Sequence, residues 1–308
     1  MTKPVEISFD DLRRLPKEST ELWVQPSVRQ RVEQVLRFRV SEPKKTTRET
    51  KCVIVIGGGT LLDAAKAWRA DQSPATRLIA VPSIWGSGAE VSPIVVANDL
   101  GQKDIRMDDR FLPDQVVYWP ELADDIPGDL ARTACGDSWS HALEGFLSPL
   151  ADDALRNEIA ELISRMLNTP LGNSPRWFKL SAEACGAQAC SSVGLVHGIA
   201  HTLEGPLRTS FPDQRWGHAK LCSSFLAPVM AFNGQGDGKS NRLLAQYGVD
   251  KKGVLKIARE LHDASAYRTA LPFLIDNWRT ILRDQCTRTN VRLVRPSDLE
   301  FFERWIAE

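Results

Sequence analysis

Cys52-Val-Ile-Val-Ile-Gly-Gly-Gly-Thr-Leu-Leu-Asp-Ala-Ala-Lys66 is the stretch whose reading decides the fold. The apolar run Cys52 to Ile56 is what a strand covered on both faces requires. It leads directly into Gly57, Gly58 and Gly59, after which Thr60 to Ala70 sets Leu62, Ala65 and Lys66 at helical spacing. A glycine turn between a buried strand and a helix lets the backbone approach a pyrophosphate and presents amide groups at the positive helix end. The same triplet also suits a plain tight turn with positive φ, and GGG alone does not separate the two readings.

Outward from this unit, Glu21–Val24, Arg37–Val40 and Leu78–Pro82 read as further strands, with a helix over Ser27 to Leu36. That alternation predicts an α/β domain with a Rossmann-like parallel sheet. Pro82-Ser-Ile-Trp-Gly-Ser-Gly-Ala-Glu90 is a second small-residue loop after a strand, and two such loops at neighbouring strand ends form a cleft. Residues 42–51 read as a polar connector. Beyond Pro127 the strands give way to amphipathic stretches over Asp129–Ser148, Asp153–Leu167, Phe178–Leu203, Trp216–Asn233 and Lys252–His262. The 308-residue chain is therefore divided into an α/β domain, 1–125, and an all-α domain, 126–308.

The 39 basic and 39 acidic side chains cancel, which removes the electrostatic footprint expected for nucleic acid or an anionic membrane. The N-terminal residues carry early acidic groups and no apolar run of signal-peptide length, and no later run approaches a bilayer span of roughly 20 residues. A cytoplasmic protein is expected, with small molecules, peptides or a second copy as partners, the last as a homodimer. The cysteines, Cys52, Cys135, Cys185, Cys190, Cys222 and Cys286, form no CxxC pair and read as buried, reduced thiols rather than metal ligands.

Four of the five histidines fall between residues 141 and 218. Gly136-Asp-Ser-Trp-Ser-His141 puts Asp137 and His141 on one helix face, and Gly194-Leu-Val-His-Gly-Ile-Ala-His201 does the same for His197 and His201. Trp216-Gly-His218 opens a further apolar helix. Any one of these histidines alone reads as a hydrogen-bonded structural residue, but the joint pattern favours a metal site. One carboxylate with imidazoles and no thiolate suits Fe(II), with Zn(II) as the alternative. His262 has no partner at useful spacing and reads as a surface residue.

GGGTLLDAAK, PSIWGSGAE, CGDSWSHALE, GLVHGIAH and WGH, in this order, resemble the signatures of the iron-containing (group III) alcohol dehydrogenases, within the dehydroquinate synthase-like superfamily. The resemblance implies the two-domain fold of that superfamily and hydride transfer between NAD or NADP and an alcohol, aldehyde or ketone. By motif, Asp137, His141, His197 and His218 would bind the metal, and His201 would relay a proton near substrate. Gly57, Gly58, Gly59 and Thr60 would hold the pyrophosphate, with Asp63, Ser83, Ser87 and Lys103 as further cofactor contacts.

The chain departs from the family pattern in several places and reads as a shortened member. No crossover helix is evident between Val40 and Cys52, the region after Asn233 is trimmed, and Val24-Gln25-Pro26 stands where the family often has an acidic residue for the adenosine ribose. Trp85 puts bulk close to the expected cofactor or substrate. Thr202–Gly217 reads either as a substrate-specific lid or as a surface loop. These features suggest a specialised biosynthetic substrate, alcohol-, aldehyde- or peptide-like. Two other readings remain: a metal-dependent, lyase-type relative of dehydroquinate synthase, and a non-catalytic binding protein that kept the fold.

Overall fold

The computed structural model describes residues 3–43, 45–46, 49–99, 102–236 and 238–306, excluding the side chains of 97–99 and 102–104. The chain divides into two compact units, 1–127 with 175–182, and 128–174 with 183–308.

Unit 1 contains strands β1 (Val5–Glu6), β2 (Thr20–Val24), β3 (Arg39–Val40), β4 (Cys52–Gly57), β5 (Arg77–Pro82), β6 (Ile94–Asp99), β7 (Gln102–Met107) and β8 (Gln115–Val116). Its helices are α1 (Phe9–Arg13), α2 (Arg29–Val35) and α3 (Gly59–Gln72). Six strands form one parallel sheet in the order β1-β8-β5-β4-β2-β3, and β6 and β7 make a separate antiparallel pair. The four sequence-predicted strands are β2 to β5. Strands β1 and β8 are two residues each, too short to leave a periodic signal.

From β2 the chain steps outward to β3, then returns to the opposite side of β2 for β4 and continues away through β5 and β8. This reversal makes the carboxyl ends of β2 and β4 the switch point of the sheet, where ligands of open α/β folds bind. β4 is buried throughout, as its unbroken apolar run requires. Val53 and Val55 pack with Leu62, Ala65 and Trp68 of α3, and Trp23 of β2 meets Trp68 with ring centroids 4.8 Å apart. Each valine or leucine here that is fully removed from water contributes about 1.5–3 kcal/mol, which seats α3 and the glycine loop that opens it.

Unit 2 is helical: α4 (Gly128–Leu147), α5 (Asp153–Leu167), α6 (Arg176–Gln188, whose first residues fall in unit 1), α7 (Leu195–Ser210) and α8 (His218–Asn233). It continues with α9 (Lys239–Gln246), α10 (Lys251–Leu261), α11 (Ala264–Ile281), α12 (Gln285–Arg288) and α13 (Leu299–Arg304). The predicted single stretch Phe178–Leu203 is two helices, broken at 189–194, where Ser191, Ser192 and Gly194 favour turn and cap conformations over helix interior. α7 runs through Pro206 to Ser210, so the predicted lid over Thr202–Gly217 reduces to Phe211–Gly217. Among the described residues no helix is long and apolar enough to cross a membrane. α4 and α8 approach closely at Gly136, where a Cβ would stand 2.5 Å from Ser223 Cβ and 2.7 Å from its Cα. That approach sets the height of the next residue on α4, Asp137.

Candidate metal centre and glycine loop

The four expected ligands converge within unit 2. Asp137 and His141 lie one turn apart on α4, His197 is on the first turn of α7, and His218 is the first residue of α8. Asp137 Oδ1 stands 3.6 Å from His141 Nε2, 3.8 Å from His197 Nε2 and 3.8 Å from His218 Nε2, and the Nε2 atoms of His141 and His197 are 3.4 Å apart. Donors on a tetrahedral ion at bond lengths of about 2.0–2.2 Å lie roughly 3.3–3.6 Å from one another. Three imidazole nitrogens around one carboxylate oxygen at these separations fit a single divalent cation such as Fe(II) or Zn(II).

Burial suits the same chemistry. Burial first, and then neighbouring His197, push His141 down to about 3, so its ring is neutral and carries a lone pair. Glu144, one turn beyond His141 on α4, accepts from His197 Nδ1 at 2.7 Å and from the Val196 amide at 2.6 Å. The Nδ1 contact assigns the Nδ1–H tautomer to His197 and leaves the Nε2 lone pair facing Asp137 Oδ1. Burial pushes Glu144 up to about 7, against the lowering pull of the Gly194, Val196 and His197 amides. Sequence reasoning quoted Glu144 inside its motif without a role. The signal was its spacing, which puts it on the face shared by Asp137 and His141.

The expectation that the thiols stand apart from metal-binding groups is corrected. Cys222 Sγ is 3.5 Å from His218 Nε2, and donor atoms of Asp137, His197, His218 and Cys222 all lie within 4.8 Å of one another. Cys222 is one helical turn after His218, the spacing that was applied to the histidines and not to the cysteines. Cys190 is exposed rather than buried. His262 is not a surface residue: it is half-buried, its Nδ1 lies 2.7 Å from the Ser224 carbonyl oxygen, and its ring packs on Tyr267 and Trp305.

His201 sits beside the four, its ring stacked on that of His218 with centroids 5.2 Å apart. Its Nδ1 faces away from them, 3.8 Å from Asp284 Oδ2 and 3.7 Å from Cys286 Sγ.

In unit 1, Gly57, Gly58, Gly59, Thr60, Ser83 and Ser87 gather at the carboxyl ends of β4 and β5. The Ser83 amide donates to the Gly57 carbonyl at 3.0 Å, and a Cβ on Gly59 would meet Ser87 Oγ at 2.7 Å. Sequence reading assigned no contact to Gln25, whose Oε1 accepts from the Gly58 amide at 2.8 Å and so joins the two loops of the switch point.

Asp63 faces inward. Its Oδ1 takes Lys66 Nζ at 3.0 Å and its Oδ2 takes the Val96 amide at 3.1 Å, while the fully buried Lys66 also donates to the Ala89 and Ile94 carbonyls. Its placement in this structure is that of a brace between α3 and residues 89–96. Trp85 is buried, its ring edge-on to Phe178 at 5.3 Å, rather than standing free in a pocket. Lys103 pairs with Asn98 in the β6–β7 ladder, and its side chain lies outside the described residues.

A family model described as iron-containing alcohol dehydrogenase matches residues 39–120. The 1-propanol dehydrogenase PduQ of Salmonella typhimurium is 29% identical over 229 residues, covering 70% of this chain and 58% of that protein. The maleylacetate reductase of Pseudomonas knackmussii is 30% identical over 209 residues, covering 64% of this chain and 56% of that protein. The chain thus spans a little over half the length of the curated relatives it matches. In fold it resembles an iron-containing alcohol dehydrogenase from Thermococcus thioreducens, with a TM-score of 0.75 at 18% identity over 98% of this chain and 97% of that one. A maleylacetate reductase from Agrobacterium tumefaciens gives a TM-score of 0.74 at 20% identity over 99% of this chain and 96% of that one. Sequence motifs and the family model over residues 39–120 make the chain similar to the iron-containing alcohol dehydrogenases, and its fold is that of the solved structures named above.

Proposed function

We propose that the protein is a metal-dependent oxidoreductase that moves a hydride between NAD or NADP and an alcohol, aldehyde or ketone. The observation that carries this reading is the convergence of three imidazole nitrogens on one oxygen of Asp137. Bound there, Fe(II) or Zn(II) supplies Lewis-acid polarisation of a substrate oxygen, and the nicotinamide supplies or accepts the hydride. Asp137, His141, His197 and His218 hold the donor set in place, with Cys222 at its edge. Glu144 keeps the His197 lone pair pointed into the set. His201 stands beside the set as the residue that would relay a proton, with Asp284 on its Nδ1 side. The exposed Ser87 and Thr60, with the amides at the start of α3, offer donors to a pyrophosphate at the switch point.

Metal analysis of the purified protein, combined with NADH and NADPH fluorescence titration, tests this function. The expected result is stoichiometric metal and binding of one nucleotide. His197→Ala or His218→Ala should abolish the metal bound at this donor set, whereas His201→Ala should keep it there and slow turnover. Stoichiometric metal without nucleotide binding would sink the dehydrogenase reading. It would favour a metal-binding protein that kept the fold, a second reading that the Gln25 contact on the Gly58 amide supports.

A further inference from the structure

The structure assigns a second divalent-cation site to His201, Asp284 and Cys286, a cluster of nitrogen, oxygen and sulfur donors next to the first set and distinct from it. This goes beyond the proposed oxidoreductase function. His201 Nδ1 is 3.7 Å from Cys286 Sγ and 3.8 Å from Asp284 Oδ2, and one donor atom from each of the three lies within 4.8 Å of the others. With zinc–sulfur and zinc–nitrogen bonds of about 2.3 and 2.0 Å, tetrahedral donors stand roughly 3.5 Å apart, close to the separations found here. The three side chains belong to unit 2, and the backbone holds two of them in place. Asp284 caps α12, its Oδ1 accepting from the Cys286 amide at 2.8 Å, which leaves Oδ2 toward His201. All three groups are partly exposed, so a cation reaches them from solvent and a fourth position stays open to water.

The chemistry differs from that of the first set. Without a cation the Cys286 thiol is held well above its ordinary range by burial first and by the Asp284 charge second, so it is protonated. Binding breaks its S–H bond, forms a sulfur–metal bond and releases one proton to solvent for each cation taken up. A thiolate with one imidazole and one carboxylate selects a softer ion, Zn(II) over Fe(II) or Mg(II). Occupation also takes the Nδ1 of His201, the residue assigned to move the proton, so the site is inhibitory. The design permits a metal-dependent enzyme to be shut down by an excess of a second metal.

Titration of metal-stripped protein with Zn(II), read by equilibrium dialysis and metal analysis, tests the site, with Co(II) as the spectroscopic probe. Wild type should bind two equivalents, and Cys286→Ser and Asp284→Asn one each. The thiolate-to-cobalt charge-transfer absorption should persist in Cys222→Ser and vanish in Cys286→Ser. Circular dichroism establishes that each variant is folded. Wild type saturating at a single equivalent that His197→Ala removes would overturn this site and leave the oxidoreductase reading intact. A wild type that saturates at a single equivalent, one that survives in His197→Ala and disappears in Cys286→Ser, would leave this site standing and remove that reading. Two equivalents retained in both Cys286→Ser and Asp284→Asn would overturn it outright.

Discussion

Replacing Glu144 with glutamine isolates the orienting role of a residue that touches no substrate. The buried carboxylate accepts from His197 Nδ1 at 2.7 Å, from the Val196 amide at 2.6 Å and from the His197 amide at 3.4 Å, with all the donors facing one acceptor-only group. Glutamine keeps the volume but has one acceptor oxygen. If that oxygen stays with the Val196 amide, the NH2 group faces His197 Nδ1 and favours the other tautomer. The ring hydrogen then sits on Nε2, the atom 3.8 Å from Asp137 Oδ1 that a cation needs as a lone pair. Loss of such an orienting partner lowers metal affinity by about 10- to 100-fold, or roughly 1.4–2.7 kcal/mol. Competition of Zn(II) between the protein and a chromogenic chelator reads this directly, and thermal unfolding of the metal-free variant checks that packing is intact. Unchanged affinity in a folded Glu144→Gln protein would refute the tautomer argument and leave Glu144 as a helix brace.

Three further outcomes are expected. Glu90 in unit 1 is 2% exposed, its Oε1 has no hydrogen-bond partner among the described residues, and burial pushes it up to about 7. A raised carboxyl contributes stability below its ordinary value near 4.5 and loses it as pH rises through 7, so denaturant titrations at pH 5 and 8 should show wild type losing about 2–3 kcal/mol that Glu90→Gln does not lose. An equal loss in the variant would clear Glu90. Gly136→Ala forces a methyl into the backbone of Ser223 and should destabilise unit 2 by about 1–3 kcal/mol while lowering metal occupancy, measured by thermal unfolding and metal analysis; wild-type values for both would contradict the close approach of α4 and α8. Gln25→Ala frees the Gly58 amide from a hydrogen bond worth about 1 kcal/mol and should tighten NADH or NADPH binding about five-fold by fluorescence, whereas weaker binding would make Gln25 part of the nucleotide site.

What the sequence made legible followed from periodicity. β4 and α3 could be read because an unbroken apolar run, a glycine triplet and helical spacing stand in order. Asp137, His141, His197 and His218 could be read because one-turn spacing repeats on two helices. Features set by tertiary contact were not legible. β1 and β8 acquire strand geometry only from their neighbours in the sheet. The inward turn of Asp63 depends on Lys66 being buried beneath Ala89 and Ile94, which no local pattern encodes. Asp284 and Cys286 come from the cap and body of a four-residue helix far along the chain and join His201 only through the packing of α12 on α7. Cys222 was legible in principle and was passed over because cysteine pairs, rather than cysteine–histidine spacing, were sought.

The first donor set draws on α4, α7 and α8, elements that must all be docked before their side chains meet. Where that docking follows the rate-limiting step, these contacts are missing from the transition state for folding. A cation held by them leaves the folding rate nearly unchanged and slows unfolding instead. Metal supply would then set how long each copy of the helical unit survives before it opens, a lifetime control separate from any catalytic use of the ion.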